Sequence, residues 1–295
     1  MGGAAFCLYA RPMTDEPGPA ARTPAELLRR RVADDPARPL VTFYDDATGE
    51  RVELSARTFD NWVAKTANLL VDEFGAGPGG VEHAVLVLPE HWQSAVWLMA
   101  CWSAGVAVRV VDPADPLADV EPPDAPYLLA VAEEALADVL DGSPLGADAD
   151  EIVGLSLHAL GGPLSAAPPG VTDYAVEVRA HGDRFRPPAG AGPDTLALSV
   201  TKDTLTADEL VGAAARFAAK WALDSQDRLF VAMSFATLDG LLASLLAPLV
   251  SGASVIIQRN FDKTLLDRRL TLEHVTAVVG APGGNDATGS VRRLT

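Results

Sequence analysis

The chain has 295 residues, 48% of them hydrophobic, and a formal net charge of −17. This length and apolar content suffice for a large domain with a buried core, which excludes disorder throughout. The negative charge excludes a nucleic-acid partner, because Lys and Arg supply most of the affinity for a phosphate backbone. Fourteen Asp and Glu, and no Lys or Arg, lie between Val110 and Val178. That stretch predicts a solvated acidic face or, alternatively, a docking surface for a basic protein partner.

The N-terminal residues predict a disordered tail over 1–22 without a targeting signal. The opening MGGAAFCLYARPM lacks a basic region, and we hypothesise that translation starts at Met13 rather than Met1. Two cysteines, Cys7 and Cys101, are too few for a disulfide framework and indicate a cytoplasmic protein, with Cys101 buried. The longest apolar stretches, 94–108 and 241–257, fall short of the roughly 20 residues of a spanning helix, so no membrane association is predicted.

Helices and strands alternate in a first block over 23–141. Thr23, Pro24 and Glu26 match a capping box, and Ser55 is the predicted cap of the next helix. The strand, helix, strand order over 84–111 predicts a parallel pair crossed by a helix. The predicted elements are helices at 23–33, 55–74, 90–104 and 133–140, a hairpin at 41–54, and strands at 84–88, 106–111 and 127–131.

An irregular connection over 142–193 is rich in Gly, Pro, Ala and Ser, with a short strand near Ile152 and an edge strand at 175–178. A second alternating block follows over 194–282, and the residues 283–295 predict a disordered tail. The predicted elements of this block are strands at 196–200, 228–233, 254–258 and 275–280, and helices at 206–222, 238–250 and 263–272.

Motifs that mark common chemistries are missing or out of context. The glycines between Gly75 and Gly80 match G-x-G-x-x-G, but they follow a helix and precede a strand, so we interpret them as a helix stop and loop. The sequence has no G-x-x-x-x-G-K-[ST], no H-E-x-x-H and no G-x-S-x-G. Its five histidines are scattered without metal-ligand spacing, so neither a metal site nor a catalytic residue is predicted.

The order of elements and several short motifs resemble the adenylate-forming superfamily, which includes acyl-CoA synthetases and nonribosomal peptide adenylation domains. The similarity runs over about 23–282 and is stronger in the second half. Its segments are GVAVRVVDP at 105–113, DRLFVAMSFATLDG at 227–240, SGASVIIQRNFD at 251–262 and LEHVTAVVGAP at 272–282. The chain also resembles short adenylate-forming-like proteins of high-GC bacteria. The resemblance implies an α/β fold of stacked βαβ layers, as in the large N-terminal domain of these enzymes but truncated.

The sequence departs from the superfamily at its phosphate loop. A Ser/Thr/Gly-rich loop ending in Pro-Lys-Gly follows a strand like LALSV in the family, and Gly there lets backbone amides approach the ATP phosphates. Here the strand leads directly into Thr201, Lys202, Asp203 and Thr204, with no glycine. We interpret the segment as a tight turn before the next helix, with Thr201, Lys202 and Thr204 as a vestigial phosphate-loop position.

A second departure concerns the substrate pocket, where the superfamily has a His at the position that matches Thr237. The later acidic motif, the ribose-binding Asp and the Lys of the C-terminal domain also cannot be placed before Thr295. Because adenylation depends on cations fixed near the phosphates, we expect a non-catalytic relative without cofactors that binds a small acyl or nucleotide ligand or a protein partner. The alternatives are a carboxylate-adenylating ligase that uses ATP and Mg²⁺ with residual or partner-completed activity, and a purely structural protein.

Overall fold

Two parallel-rich β-sheets, with helices packed against them, make up the fold. A computed structural model describes residues 20–200, 203–281 and 291–295. The first sheet has seven strands in the order β7-β6-β5-β3-β4-β8-β9. These strands are β3 (His83–Val87), β4 (Ala107–Val111), β5 (Tyr127–Ala132), β6 (Glu151–Leu155), β7 (Val171–Asp173), β8 (Leu196–Val200) and β9 (Asp203–Thr206). All its pairings are parallel except the β8–β9 hairpin.

The second sheet has six strands in the order β13-β12-β10-β11-β1-β2. These strands are β1 (Pro39–Asp45), β2 (Glu50–Ser55), β10 (Arg228–Val231), β11 (Ser254–Arg259), β12 (Ala277–Val279) and β13 (Arg292–Leu294). Only the predicted β1–β2 hairpin is antiparallel. The predicted α/β class is therefore confirmed, with βαβ crossovers as its main connection.

Several helices begin at a residue whose side chain caps the helix, and α2 (Ala56–Phe74) ends at a glycine. Thr23 and Thr206 each form a complete capping box, and Ser55 accepts a hydrogen bond from the amide of Thr58. Gly75 ends its helix in the left-handed conformation, which confirms that the glycine-rich segment is a helix stop. The helices are α1 (Pro24–Asp34), α2 (Ala56–Phe74), α3 (Trp92–Ala104), α4 (Leu136–Leu140), α5 (Pro144–Asp148), α6 (Tyr174–Glu177), α7 (Ala207–Lys220), α8 (Leu238–Leu241), α9 (Ala247–Ser251) and α10 (Lys263–Leu272).

Helix α3 lies at the centre of the largest core, and all of its residues are buried. The predicted burial of Cys101 is thereby confirmed. Burial on every side explains the lack of an amphipathic pattern in this helix. Its first turn is capped by the buried His91, whose Nδ1 accepts a hydrogen bond from the amide of Gln93 at 3.1 Å. The packing of α3 fixes where β3 ends and β4 begins.

The helical segment from α8 to α9 contains a π-helical stretch at Leu242–Leu246. Pro248 follows it, and proline cannot donate the hydrogen bond that an α-helix needs at that position. The predicted helix at 238–250 is therefore present, with a local widening that proline makes necessary.

The two predicted blocks do not form separate sheets. Strands β8 and β9 of the second block extend the first sheet beside β4, with Val108 opposite Leu198. Strand β1 of the first block instead pairs in parallel with β11, where Val41 lies opposite Val255. Periodicity indicates where a strand lies but not which strand becomes its neighbour, so the sequence did not indicate this exchange of strands between the blocks.

Two local predictions were wrong. Residues 175–178, predicted as an edge strand, belong instead to α6 and a 3₁₀ turn at Val178–Ala180, because Asp173 caps α6 by accepting from the amide of Ala175. Strand β7 takes the edge position. In the predicted disordered tail at 283–295, residues 283–290 lie outside the described ranges, but 291–295 contain β13, which pairs with β12. Its Arg292 donates to the carbonyl of Trp221 at 2.7 Å, a contact that sequence periodicity cannot indicate.

Candidate functional site

A cleft of about 460 Å³ lies at the carboxyl ends of β4 and β8, beside the loop that follows β10. Ligands of open α/β sheets commonly bind at the carboxyl ends of the strands. The lining residues come from all three segments and from the turn after β4. They are Arg109, Val110, Val111, Asp115, Asp119, Val120, Glu121, Pro122, Leu198, Ser199, Phe235, Ala236 and Leu241.

The cleft is lined by three carboxylates and one guanidinium. Asp115, Asp119 and Glu121 are exposed, whereas Arg109 is half-buried in the middle of β4. Arg109 donates from Nη1 to the backbone carbonyl of Glu121 at 2.6 Å, which leaves its remaining donors available. This excess of negative charge opposes a triphosphate, whose binding sites in proteins are rich in cations and backbone amides.

The loop after β10 is held against the first sheet by two acids. Glu90 accepts a hydrogen bond from the amide of Phe235 at 2.8 Å, and Asp112 accepts one from the hydroxyl of Ser234 at 3.3 Å. Burial raises the pKa of Glu90, and the nearby Asp112 acts in the same direction. Both acids, together with Glu134, line another cavity of about 330 Å³.

The predicted vestigial phosphate-loop residues fall at the β8–β9 hairpin. Thr201 and Lys202 lie outside the described residues. Thr204 is exposed on β9, opposite Ser199. Val200 pairs with Asp203, so two residues of sequence separate the strands. The hairpin leads directly into Thr206, which caps α7, as the interpretation of a tight turn before the helix requires.

Thr237, the predicted pocket residue, does not line the cleft. Its hydroxyl accepts from the amide of Gly240 at 3.1 Å and donates to the carbonyl of Ser234 at 2.9 Å, so the residue caps α8. Gly240 has a steric role at the same place, because a Cβ there would stand 1.9 Å from the Ser234 carbonyl oxygen. This part of the sequence determines how the helix begins, and the role of Thr237 as a pocket residue stays a prediction.

The Asp227–Arg228 pair, another part of the resemblance, is also structural. Asp227 accepts from the hydroxyl of Thr276 at 2.6 Å and pairs with Arg292 at 2.5 Å, which ties β13 to the sheet. Arg228 pairs with Glu53 at 3.3 Å and with Glu273. Neither residue lines the cleft.

Arg109 and Phe235 are cleft residues that the sequence reasoning missed. Arg109 is the last cation before the long stretch without Lys or Arg, and it lies within a predicted buried strand. A lone charge inside an otherwise apolar strand is the signal that could have identified it. Phe235 carries no comparable signal, because its position depends on the packing of the loop against the first sheet.

The described ranges contain neither a cluster of metal ligands nor a membrane-spanning helix. Within them, no group of three or more His, Cys, Asp or Glu is placed to hold a metal ion. None of the helices in these ranges is long and apolar enough to cross a membrane.

Solved structures with the same fold are acyl-CoA synthetases and ligases. An acyl-CoA synthetase of Brucella canis superposes with a TM-score of 0.67 at 14% identity, over 88% of this chain and 47% of its own. A benzoate CoA ligase from Burkholderia xenovorans LB400 gives 0.68 at 18% identity, over 88% and 50% of the two chains. The fold is that of the N-terminal domain of the adenylate-forming class, and the chain spans about half the length of these proteins.

The sequence comparison identifies a narrower group. A TIGR03089 family protein from Mycobacterium tuberculosis (strain ATCC 25618 / H37Rv) is 42% identical over 245 residues, which are 83% of this chain and 93% of that protein. This chain belongs to the TIGR03089 family. No family model matches it.

Proposed function

We propose that this protein is a non-catalytic relative of acyl-CoA synthetases that binds a small carboxylic acid or acyl group in the cleft. The observation that carries the proposal is the β8–β9 hairpin, where Val200 pairs with Asp203. Two residues of sequence cannot supply the run of amides and hydroxyls that surrounds a triphosphate. Adenylate formation relies on positioning and charge stabilisation at the phosphates, so this hairpin argues against the reaction.

The cleft favours an acyl ligand over a nucleotide. The free donors of Arg109 form a planar fork that suits a single carboxylate. Apolar walls come from Leu198, Phe235 and Leu241, buried residues that line the same cleft. The volume of about 460 Å³ falls in the range of small-molecule pockets. A phosphate chain would instead bring several charges close to Asp115 and Asp119.

Calorimetric titration with short aliphatic and aromatic carboxylates tests this function. We expect saturable binding at one site, weakened about tenfold or more by Arg109→Gln because a charge-assisted hydrogen bond is lost. Arg216→Gln, at an exposed position of α7, removes the same charge and should leave the affinity unchanged. Carboxamide analogues of the same acids should bind as weakly as the acids bind to Arg109→Gln.

Two results would contradict the proposal. One is no carboxylate binding at millimolar concentration. The other is binding that Arg109→Gln and Arg216→Gln weaken equally, which would indicate a general charge effect. Saturable MgATP binding that Lys202→Ala abolishes would favour the alternative, a carboxylate-adenylating ligase with residual or partner-completed activity.

A further inference from the structure

A second cavity of about 490 Å³ lies at the other end of the first sheet from the cleft. It is lined by Ser103 in the last turn of α3, just before β4 begins, whereas the cleft lies where β4 ends. We call it the arginine cavity, because Arg29 of α1, Arg57 of α2 and Arg184 of the 142–193 connection all line it. Three cations thus meet at one cavity in a chain whose net charge is −17.

None of these three guanidiniums has an ion pair or a side-chain hydrogen bond with any residue that the structure describes. Two acids, Asp60 and Asp183, also line the cavity, but neither pairs with them. Burial raises the pKa of Asp60, and Arg57 and Arg29 only partly oppose that shift. Arginines elsewhere do have acidic partners: Arg22 with Asp208 at 3.0 Å, Arg259 with Glu134 and Arg269 with Asp46 at 2.6 Å.

The fold holds the three arginines on ordered backbone. Arg57 lies in the first turn of α2, which contains no acid, and its amide donates to the carbonyl of Pro36 at 2.9 Å. The side-chain Nδ2 of Asn68 donates to the carbonyls of Gly182 at 2.8 Å and Arg184 at 3.0 Å, which attaches the 142–193 connection to α2. The backbone positions of the three arginines around the cavity are therefore fixed before any ligand arrives, while their exposed side chains remain open to a ligand.

We propose that the arginine cavity binds a phosphorylated small molecule, with its phosphate group held by Arg29, Arg57 and Arg184. Guanidinium groups bind phosphate through paired, charge-assisted hydrogen bonds. A phosphate carries more negative charge and has more oxygens than a carboxylate, so it neutralises three cations more completely. The cavity has more room than a bare phosphate fills, and the remaining volume accommodates the group that carries it.

Calorimetric titration of the whole protein tests the site, with inorganic phosphate, pyrophosphate and a nucleoside monophosphate as probes at constant ionic strength. We expect one saturable site, and we expect Arg29→Gln, Arg57→Gln and Arg184→Gln each to weaken it about tenfold or more. Arg186→Gln is the matched control, because this exposed arginine belongs to the same connection but does not line the cavity. Its affinity should equal that of the unaltered protein.

A variant that binds more tightly serves as a further control, because unfolding weakens binding and cannot strengthen it. Asp183→Asn removes a competing charge at an exposed position and should tighten binding several-fold. Equal binding of all three probes would assign the site to the phosphate alone, and tighter binding of the nucleotide would assign it to a phosphorylated organic molecule. No saturable binding at millimolar concentration, or an equal loss in Arg186→Gln, would overturn the proposal.

Discussion

Charged side chains near the amino end of β10 contact one another, whereas the carboxylates of the cleft do not. At β10, Asp227 pairs with Arg292, and Arg228 pairs with Glu273. In the cleft, the side chains of Asp115, Asp119 and Glu121 make no hydrogen bond or ion pair with the described part of the chain. In the first region the charged side chains form ion pairs that connect strands. In the second region the carboxylates face the open volume of the cleft. Substitutions should therefore affect stability in the first region and ligand binding in the second.

The largest effect is expected at Asp227. Asp227→Ala removes the carboxylate that accepts from Thr276 and Arg292, and it should lower the free energy of unfolding by about 2 kcal/mol, since loss of an acceptor to a charged, partly buried donor is costly. Urea denaturation at pH 7 measures this. Asp239→Ala, at an exposed position, is the control and should change stability by less than about 0.5 kcal/mol. If Asp227→Ala and Asp239→Ala had equal stabilities, the proposed structural role of the charges at β10 would be contradicted.

A smaller, pH-dependent effect is expected at Glu273. Hydrogen bonds from Arg51, Tyr44 and Arg228 outweigh burial and lower the pKa of this carboxyl to about 2. Because the folded state then binds fewer protons than the unfolded state, the contribution is complete above the ordinary pKa of 4.5 and is lost as the pH falls through about 2. Glu273→Gln should cost about 1 kcal/mol at pH 7, after allowance for solvent screening.

Denaturation curves collected from pH 7 to pH 2 test this prediction. The stability difference between the protein and Glu273→Gln should shrink steadily as the pH falls below 4.5. A difference that stays constant over this range would show that Glu273 acts through its shape and neutral hydrogen bonds and not through its charge.

The smallest effect on stability is expected in the cleft. Asp119→Asn should change the free energy of unfolding by less than about 0.5 kcal/mol, because the side chain is exposed and has no described partner. The same substitution should tighten carboxylate binding about threefold, since it removes a repelling charge near the ligand. Thermal denaturation and calorimetric titration of the one variant measure both quantities, and a destabilised variant with unchanged affinity would reverse the assignment.

Local signals in the sequence predicted much of the fold. Both capping boxes, at Thr23 and Thr206, lie where the sequence indicates, because a cap depends on residues only three positions apart. The α/β class followed in the same way from alternating periodicities. The neighbours of β1 and β8 could not be predicted, because pairing depends on packing between distant segments. Strand β13 was missed for the same reason, since Arg292 meets Asp227 only in the folded chain.

The candidate site was harder to predict than the fold. The resemblance to a known superfamily directed attention to Thr237, which caps a helix, and to Thr204, which lies exposed on β9. Arg109, which lines the cleft, was not singled out. A motif shared with a family indicates conserved geometry as often as chemistry, and the three-dimensional contacts are needed to distinguish the two.

ATP-dependent pyrophosphate exchange with a panel of carboxylic acids tests the central claim. The claim is that this chain cannot bind a triphosphate in the way that adenylate formation requires. The assay reports the reaction itself, so nucleotide bound in the arginine cavity would not affect the conclusion. We predict exchange at the level of the buffer, for both the protein and Lys202→Ala. Exchange above that level with one of the acids, abolished by Lys202→Ala, would contradict the account.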